Sequence, residues 1–268
     1  MRARNHGFAK SKVRGESAPP QSANCAFFLD VDGTLLELAD HPRAVQVGRD
    51  LLRLLEGLRV ACCGAVALIS GRSVADIETL FAPLVFPVAG QHGIERRSAS
   101  GALQRHALPL EHLGRAAAEI VRLTAGHAGL AFENKGMTLA LHYRQAPELH
   151  AFAEHAMHRI AEALGDEFEL QAGKFVWEIK PNSKDKGTAI AEFLDEAPFA
   201  GRLPVFVGDD LTDEYGFALV NRLGGHSVKV GPGKTRARWR LADAGAVRRW
   251  LGEYVRRFRG RRAAWPGR

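Results

Sequence analysis

Cysteine is scarce. The chain has three in 268 residues, two of them adjacent as Cys62 and Cys63, and no CxxC pair. That excludes a disulfide scaffold and a cysteine-built zinc site, and leaves three reduced core thiols as the expectation. Long hydrophobic runs are missing too: stretches such as Ala65 to Ile69 fall far short of the ~20 residues a membrane span needs. Basic residues open the chain without an apolar segment behind them, so no secretory signal is expected and the expected compartment is the cytoplasm. With 28 glycines and 12 prolines, neither periodic, collagen-like and low-complexity classes drop out. A 46% hydrophobic composition at this length supplies a buried core for one large domain or two modest ones.

The net charge of +7 hints at a polyanion partner until its location is considered. Residues 1–23 carry Arg2, Arg4, Lys10, Lys12 and Arg14 against Glu16; residues 248–268 carry eight arginines against Glu253. The ends therefore hold +4 and +7, and residues 24–247 are mildly acidic at −4. Solvated extensions account for such ends, and nucleic acid is not an expected partner.

Residues 1–23 lack apolar periodicity and read as a disordered leader, with a basic tail at 256–268. Between them, Ala26–Leu29, Val66–Ile69, Val85–Val88 and Val205–Val207 are short apolar runs, each stopped by a polar residue, glycine or alanine. That is the pattern of strands buried on both faces of a parallel sheet. Amphipathic stretches of helical period alternate with them, at Val47–Leu58, Val74–Phe81, Thr188–Leu194 and Glu214–Leu223. The fold class is α/β with an open parallel sheet. The middle differs: two helical patterns, Leu110–Ala125 and Leu149–Leu164, accompany the alternating runs Thr138–Tyr143 and Lys174–Ile179. Residues 97–180 are expected to form an α+β domain inserted between core segments 24–96 and 181–255.

The sharpest feature is Asp30-Val31-Asp32-Gly33-Thr34, directly after a strand pattern. Open α/β sheets gather reactive groups at the carboxyl ends of strands. Two acids one residue apart repel, and a divalent cation removes that conflict. Gly33 permits the turn and Thr34 offers a hydroxyl to an anion. Ser70-Gly71-Arg72 also follows a strand pattern, where Ser70 suits either a phosphoryl oxygen or the cap of the next helix. Lys186-Gly187 opens a helix and places an ammonium where phosphate could meet it. Gly208-Asp209-Asp210-Leu211-Thr212-Asp213-Glu214 packs four acids into six residues. Hard oxygen donors without a cysteine or paired-histidine spacing favour Mg²⁺ over zinc.

In this order, DxDGT, Ser-Gly-Arg, Lys-Gly and GDDxTDE resemble the haloacid dehalogenase (HAD)-type phosphatases. Within that superfamily the chain is similar to trehalose-6-phosphate phosphatases, through Gly90-Gln91-His92-Gly93-Ile94-Glu95, Glu133-Asn134-Lys135-Gly136, Leu141-His142-Tyr143-Arg144 and Trp177-Glu178-Ile179-Lys180-Pro181. The resemblance spans Phe27 to Leu251. It implies a HAD-like Rossmannoid core with an inserted cap, and Mg²⁺-dependent hydrolysis of a sugar phosphate in trehalose biosynthesis.

It also implies roles. Asp30 would be the nucleophile and Asp32 the general acid and base. Mg²⁺ would be held by Asp30, Asp209 and the Asp32 carbonyl, with Asp210 and Asp213 orienting its surroundings. Ser70 and Lys186 would hold the transferring phosphoryl oxygens, with Gly33, Thr34, Gly71 and Arg72 around them. Glu133, Lys135, Arg144, Lys174 and Glu178 are the candidate sugar contacts on the cap, and Gln91, His92 and Glu95 sit where the core meets it. Tyr143 and Trp177 read as core aromatics. The chain departs from the family in carrying Pro181-Asn182-Ser183 where glycine often precedes the catalytic Lys-Gly; Lys184 reads as a solvent-facing lysine, distinct from Lys186. No fused glycosyltransferase is expected. The same motifs would serve sucrose or glucosylglycerol phosphate, and a non-catalytic polyanion binder working through the basic ends is the reading from another class.

Overall fold

The computed structural model describes residues 18–37, 45–106, 110–173 and 175–260. Its larger layer is an eight-stranded sheet of β1 (Cys25–Leu29), β2 (Val66–Ile69), β3 (Val88–Gly90), β4 (Glu95–Arg97), β5 (Leu103–Arg105), β10 (Leu203–Gly208), β11 (His226–Val230) and β12 (Trp239–Leu241). The spatial order is β12-β11-β10-β1-β2-β3-β4-β5. Every neighbouring pair from β12 to β3 is parallel; β4 and β5 continue the sheet antiparallel.

Both faces of this sheet are covered, which is why β1 is apolar and buried at all of its positions. Successive side chains serve opposite faces. Phe27 meets Tyr254 of α7 (Ala244–Phe258) edge-on at 4.8 Å between ring centroids. Phe28 stacks on Phe199 at 5.4 Å and lies 6.1 Å from Phe193 of α5 (Lys186–Leu194). Phe206 of β10, in register with Phe28, packs on Phe217 of α6 (Asp213–Arg222). On the first face α1 (Arg49–Ala61) buries Leu51, Leu55 and Leu58, spaced as one helical stripe, and packs beside α7. Each such buried aromatic or aliphatic side chain stabilises the fold by about 1.5–3 kcal/mol.

A smaller layer is inserted between β5 and α5. It is a four-stranded antiparallel sheet of β6 (Ala131–Asn134), β7 (Leu139–His142), β8 (Phe168–Gly173) and β9 (Val176–Pro181), ordered β6-β7-β9-β8. Leu139, Leu141 and Ile179 point from one face into a second core with Leu113 and Ile120 of α3 (Leu110–Thr124) and Met157 and Ile160 of α4 (His150–Leu164). The other face looks to the larger layer. The chain leaves the large sheet at His106, after β5, and comes back at Ser183 toward the helix α5 that covers it, and these two side chains meet, Nε2 to Oγ, at 3.0 Å.

The structure departs from the sequence reading in several places. Residues 95–105 belong to the large sheet, so the smaller layer starts at Leu110 and not at 97. The third core strand begins only at Val88, because Pro87 has no N–H to give; Val85 is 70% exposed. Cys25 and Cys62 are core thiols as expected, but Cys63 is exposed in a turn with φ of 51°. The leader ends earlier than residue 23, since Tyr254 donates to the Ser22 carbonyl at 2.9 Å, and α7 runs through the expected tail boundary to Phe258. The rest of both basic ends, 1–17 and 261–268, lies outside the described residues. No helix among the described residues is long and apolar enough to cross a membrane.

Candidate active site

Three adjacent parallel strands deliver the candidate residues. Asp30 follows β1, Ser70 follows β2 and Asp209 follows β10, and parallel strands put all three ends on one edge of the sheet. After β1 the chain closes a tight loop in which Leu35 and Leu36 donate to the Val31 carbonyl at 3.0 Å. Gly33 sits in that loop at φ +82°, where a Cβ would lie 2.1 Å from Asp209 Oδ2. Glycine is required there twice over, for the backbone conformation and for the approach of the carboxylate.

Lys186, at the first turn of α5, is 3% exposed and joins two acids: its Nζ donates to Asp30 Oδ1 at 2.8 Å and Asp213 Oδ1 at 2.7 Å. Burial alone would lower its pKa, but Asp213 and Asp30 outweigh burial and raise it. Burial pushes the Asp30 carboxyl well above its ordinary value; Lys186 opposes this, while the charges of Asp213 and Asp209 add to it. Asp209 is raised to about 6, by burial first and then by Asp213. Asp30, Asp209 and Asp213 each bring a carboxylate oxygen within 4.8 Å of the others. Lys186, with Lys229 acting on Asp209, leaves the three carboxylates short of positive charge. A hard divalent cation fits its donor set and relieves the repulsion.

Two further acids of these motifs turn their carboxylates away from the cluster. Asp210 Oδ1 accepts from the Leu211 N–H at 2.7 Å, capping the turn before α6, and Asp213 Oδ2 accepts from the Asp210 N–H at 2.8 Å. Asp32 turns its carboxylate to Arg72, whose Nε and Nη2 donate to its two oxygens at 2.6 and 2.7 Å. Ser70 is buried beside them, its Oγ accepting from the Arg72 N–H at 3.1 Å. Thr34 is buried as well, with Oγ1 3.4 Å from Asp209 Oδ1.

The smaller layer closes on this edge through Glu178. Its Oε2 lies 3.0 Å from Nε2 of His92 on the larger layer, and its Oε1 accepts from Lys135 Nζ at 3.0 Å and Thr138 Oγ1 at 2.7 Å. Burial would raise the Glu178 carboxyl, but Lys135 and His92 prevail and hold it well below its ordinary value. Gln91 is the second link, Oε1 accepting from the Met137 N–H at 3.1 Å. Gly71 leaves room for His92, whose ring would lie 2.9 Å from a Cβ there. Glu133 pairs with His142 at 2.9 Å, a bond that lowers its pKa, and Arg144 lies over the Phe175 ring at 5.5 Å.

Glu95 is not turned to the smaller layer. Its Oε1 accepts from the Val74 N–H and from Gln91 Nε2, and its Oε2 meets Arg105, so it braces α2 (Val74–Phe81) instead. Lys184 is not free in solvent but pairs with Glu192. Lys174 lies outside the described residues. Tyr143 is a core aromatic, 7% exposed, and Trp177 packs partly buried on the same core. Sequence reasoning missed Thr138, whose hydroxyl reads as an ordinary strand residue, and Lys229. That lysine's ammonium is buried against the backbone carbonyls of Asp209 and Val230.

The chain is similar to known proteins over most of its length. A family model described as trehalose-phosphatase matches residues 28–244. The chain is 48% identical over 233 residues to trehalose-6-phosphate phosphatase of Escherichia coli (strain K12), covering 87% of each sequence. Its fold resembles the C-terminal domain of C. albicans trehalose-6-phosphate phosphatase, with a TM-score of 0.79, 25% identity, and coverage of 87% of this chain and 93% of that one. A HAD superfamily phosphatase of Bacteroides thetaiotaomicron shares the fold at a TM-score of 0.59 and 15% identity, covering 90% of this chain and 99% of that one.

Proposed function

Because the chain belongs to the trehalose-phosphatase family, and is a phosphatase, we propose that it hydrolyses trehalose 6-phosphate to trehalose and phosphate. The observation that carries the chemistry is the grouping of buried Asp30, Asp213 and Lys186 with partly buried Asp209 on one edge of the sheet.

Lys186 engages Oδ1 of Asp30, and the second oxygen attacks phosphorus. The bond from phosphorus to the sugar oxygen breaks as an aspartyl-phosphate forms, and a proton from Asp32 goes to the leaving sugar oxygen. Water then attacks phosphorus and gives a proton to Asp32; phosphate departs and Asp30 is regenerated. Lys186 and Ser70, both buried, hold phosphoryl oxygens, and Arg72 aims Asp32. Asp30, Asp209 and Asp213 would hold Mg²⁺, which when bound supplies charge neutralisation at the phosphoryl oxygens and alignment of the attack. The smaller layer excludes competing water and presents Glu133, Lys135 and Glu178 to the sugar.

The test is phosphate release from trehalose 6-phosphate, glucose 6-phosphate and sucrose 6-phosphate, with Mg²⁺ and with EDTA. A strong, EDTA-sensitive preference for the trehalose ester is expected. Comparable rates on all three esters would remove the substrate assignment, and activity unaffected by EDTA would remove the metal.

A further inference from the structure

The register of the smaller sheet lines up one row of side chains across all four strands. Glu133 pairs with Ala140, Ala140 with Glu178, and Glu178 with Gln171. Directly opposed residues share a face, with Cβ atoms about 4.5–5.5 Å apart. The neighbouring residues Leu141 and Ile179 enter the core under α3 and α4, so this row looks the other way. Two contacts fix where it looks. Glu178 touches His92 of the large layer, and a side chain at Gly173, two residues beyond Gln171, would reach within 3.9 Å of Asp210 Oδ2.

Within the row, Glu178 has both oxygens engaged and Glu133 has Oε2 on His142. Gln171 is different: its amide oxygen is fully buried and has no hydrogen-bond partner. An acceptor taken out of water without a donor carries an uncompensated desolvation cost, and such exceptions call for a ligand. An amide oxygen one strand from the Glu178 carboxylate repels a phosphate and welcomes a donor. A sugar hydroxyl is a donor of that kind.

We propose that Gln171 is a further substrate-binding residue, its Oε1 accepting from one hydroxyl of the disaccharide and so contributing to selection for it. The assignment rests on the trehalose 6-phosphate reading above. It was invisible in the sequence because a glutamine in an alternating strand looks like a solvated residue; only the opposing layer makes that face a binding face.

The experiment compares wild type with Gln171→Met, which keeps length and removes the acceptor. Substrates are trehalose 6-phosphate, its singly deoxygenated analogues, glucose 6-phosphate and p-nitrophenyl phosphate, with a thermal melt alongside. Gln171→Met should lower kcat/KM for trehalose 6-phosphate about tenfold, mainly through KM. p-Nitrophenyl phosphate hydrolysis should be unchanged and the melting temperature not lowered, since a buried orphan acceptor has been removed. One deoxygenated analogue should cost wild type the same factor and cost the variant nothing more. Equal losses on both phosphate esters, or no loss on either, would overturn the assignment. A wild type that does not prefer trehalose 6-phosphate to glucose 6-phosphate would overturn the substrate reading beneath it.

Discussion

Arg72 holds both carboxylate oxygens of Asp32 in a single fork, at 2.6 and 2.7 Å, from the loop after the neighbouring strand. A planar guanidinium fixes a carboxylate in orientation as well as position, which an ammonium cannot do. In the proposed mechanism the fork occupies the oxygens from which the leaving group takes its proton, so one of them has to be released during turnover. Arg72→Lys should therefore lower kcat on trehalose 6-phosphate by about 10–10²-fold with little change in the Mg²⁺ midpoint. Steady-state kinetics across a metal titration check this. An unchanged kcat would mean that Asp32 needs no aiming.

Asp30 and Lys186 should part company in their effects. Asp30→Asn keeps the shape, and Lys186 keeps Asp213 as partner, so turnover should fall by several orders of magnitude with the melting temperature maintained. Lys186→Met instead leaves two buried carboxylates without their counter-ion and should cost about 3–5 kcal/mol of stability in EDTA. Chemical denaturation of both variants beside phosphate-release assays separates the two roles. More than a tenth of wild-type turnover in Asp30→Asn would end the aspartyl-phosphate assignment.

Asp209 would couple the proposed Mg²⁺ site to pH. Its folded-state pKa is about 6, against an ordinary 3.8, because burial and Asp213 disfavour its charge. Between those values the folded chain keeps a proton that the unfolded chain releases. The group's contribution to stability is therefore full below about 4 and is lost as pH rises through about 6. Melting in EDTA at pH 5 and pH 7 should show wild type losing more stability on going to pH 7 than Asp209→Asn does. Saturating Mg²⁺ should restore the difference at pH 7, and Mg²⁺ affinity should weaken below about pH 6. Identical pH profiles for the two proteins would dismiss Asp209 as the linked group.

What could be read in advance follows from how local each signal is. Phe27 and Phe28 declare a strand buried on both faces, and the acids after β1 and β10 need no distant partner to look catalytic. Glu95 was misjudged because its partner, the Val74 N–H, is brought to it only by the pairing of β3 with β4. Arg97, directly after Arg96, reads in the sequence as the start of the insertion. Their charges are matched by Glu192, Glu196 and Glu78, which lets so polar a strand extend the large sheet. Thr138 meets Glu178 only through the pairing of β7 with β9, and the proposed role of Gln171 depends on the layer opposite. A pattern of alternation records burial, not the identity of the covering surface.

The contact between His106 and Ser183 joins the point where the chain departs from the large sheet to the point where it comes back toward the helix α5 covering that sheet. Departure and return lie side by side, so the inserted layer is a detour that a few residues of bridge would close. Such a module is transplantable. A sheet of this kind can carry a different insertion at the same place and leave the carboxylates at its edge where they are.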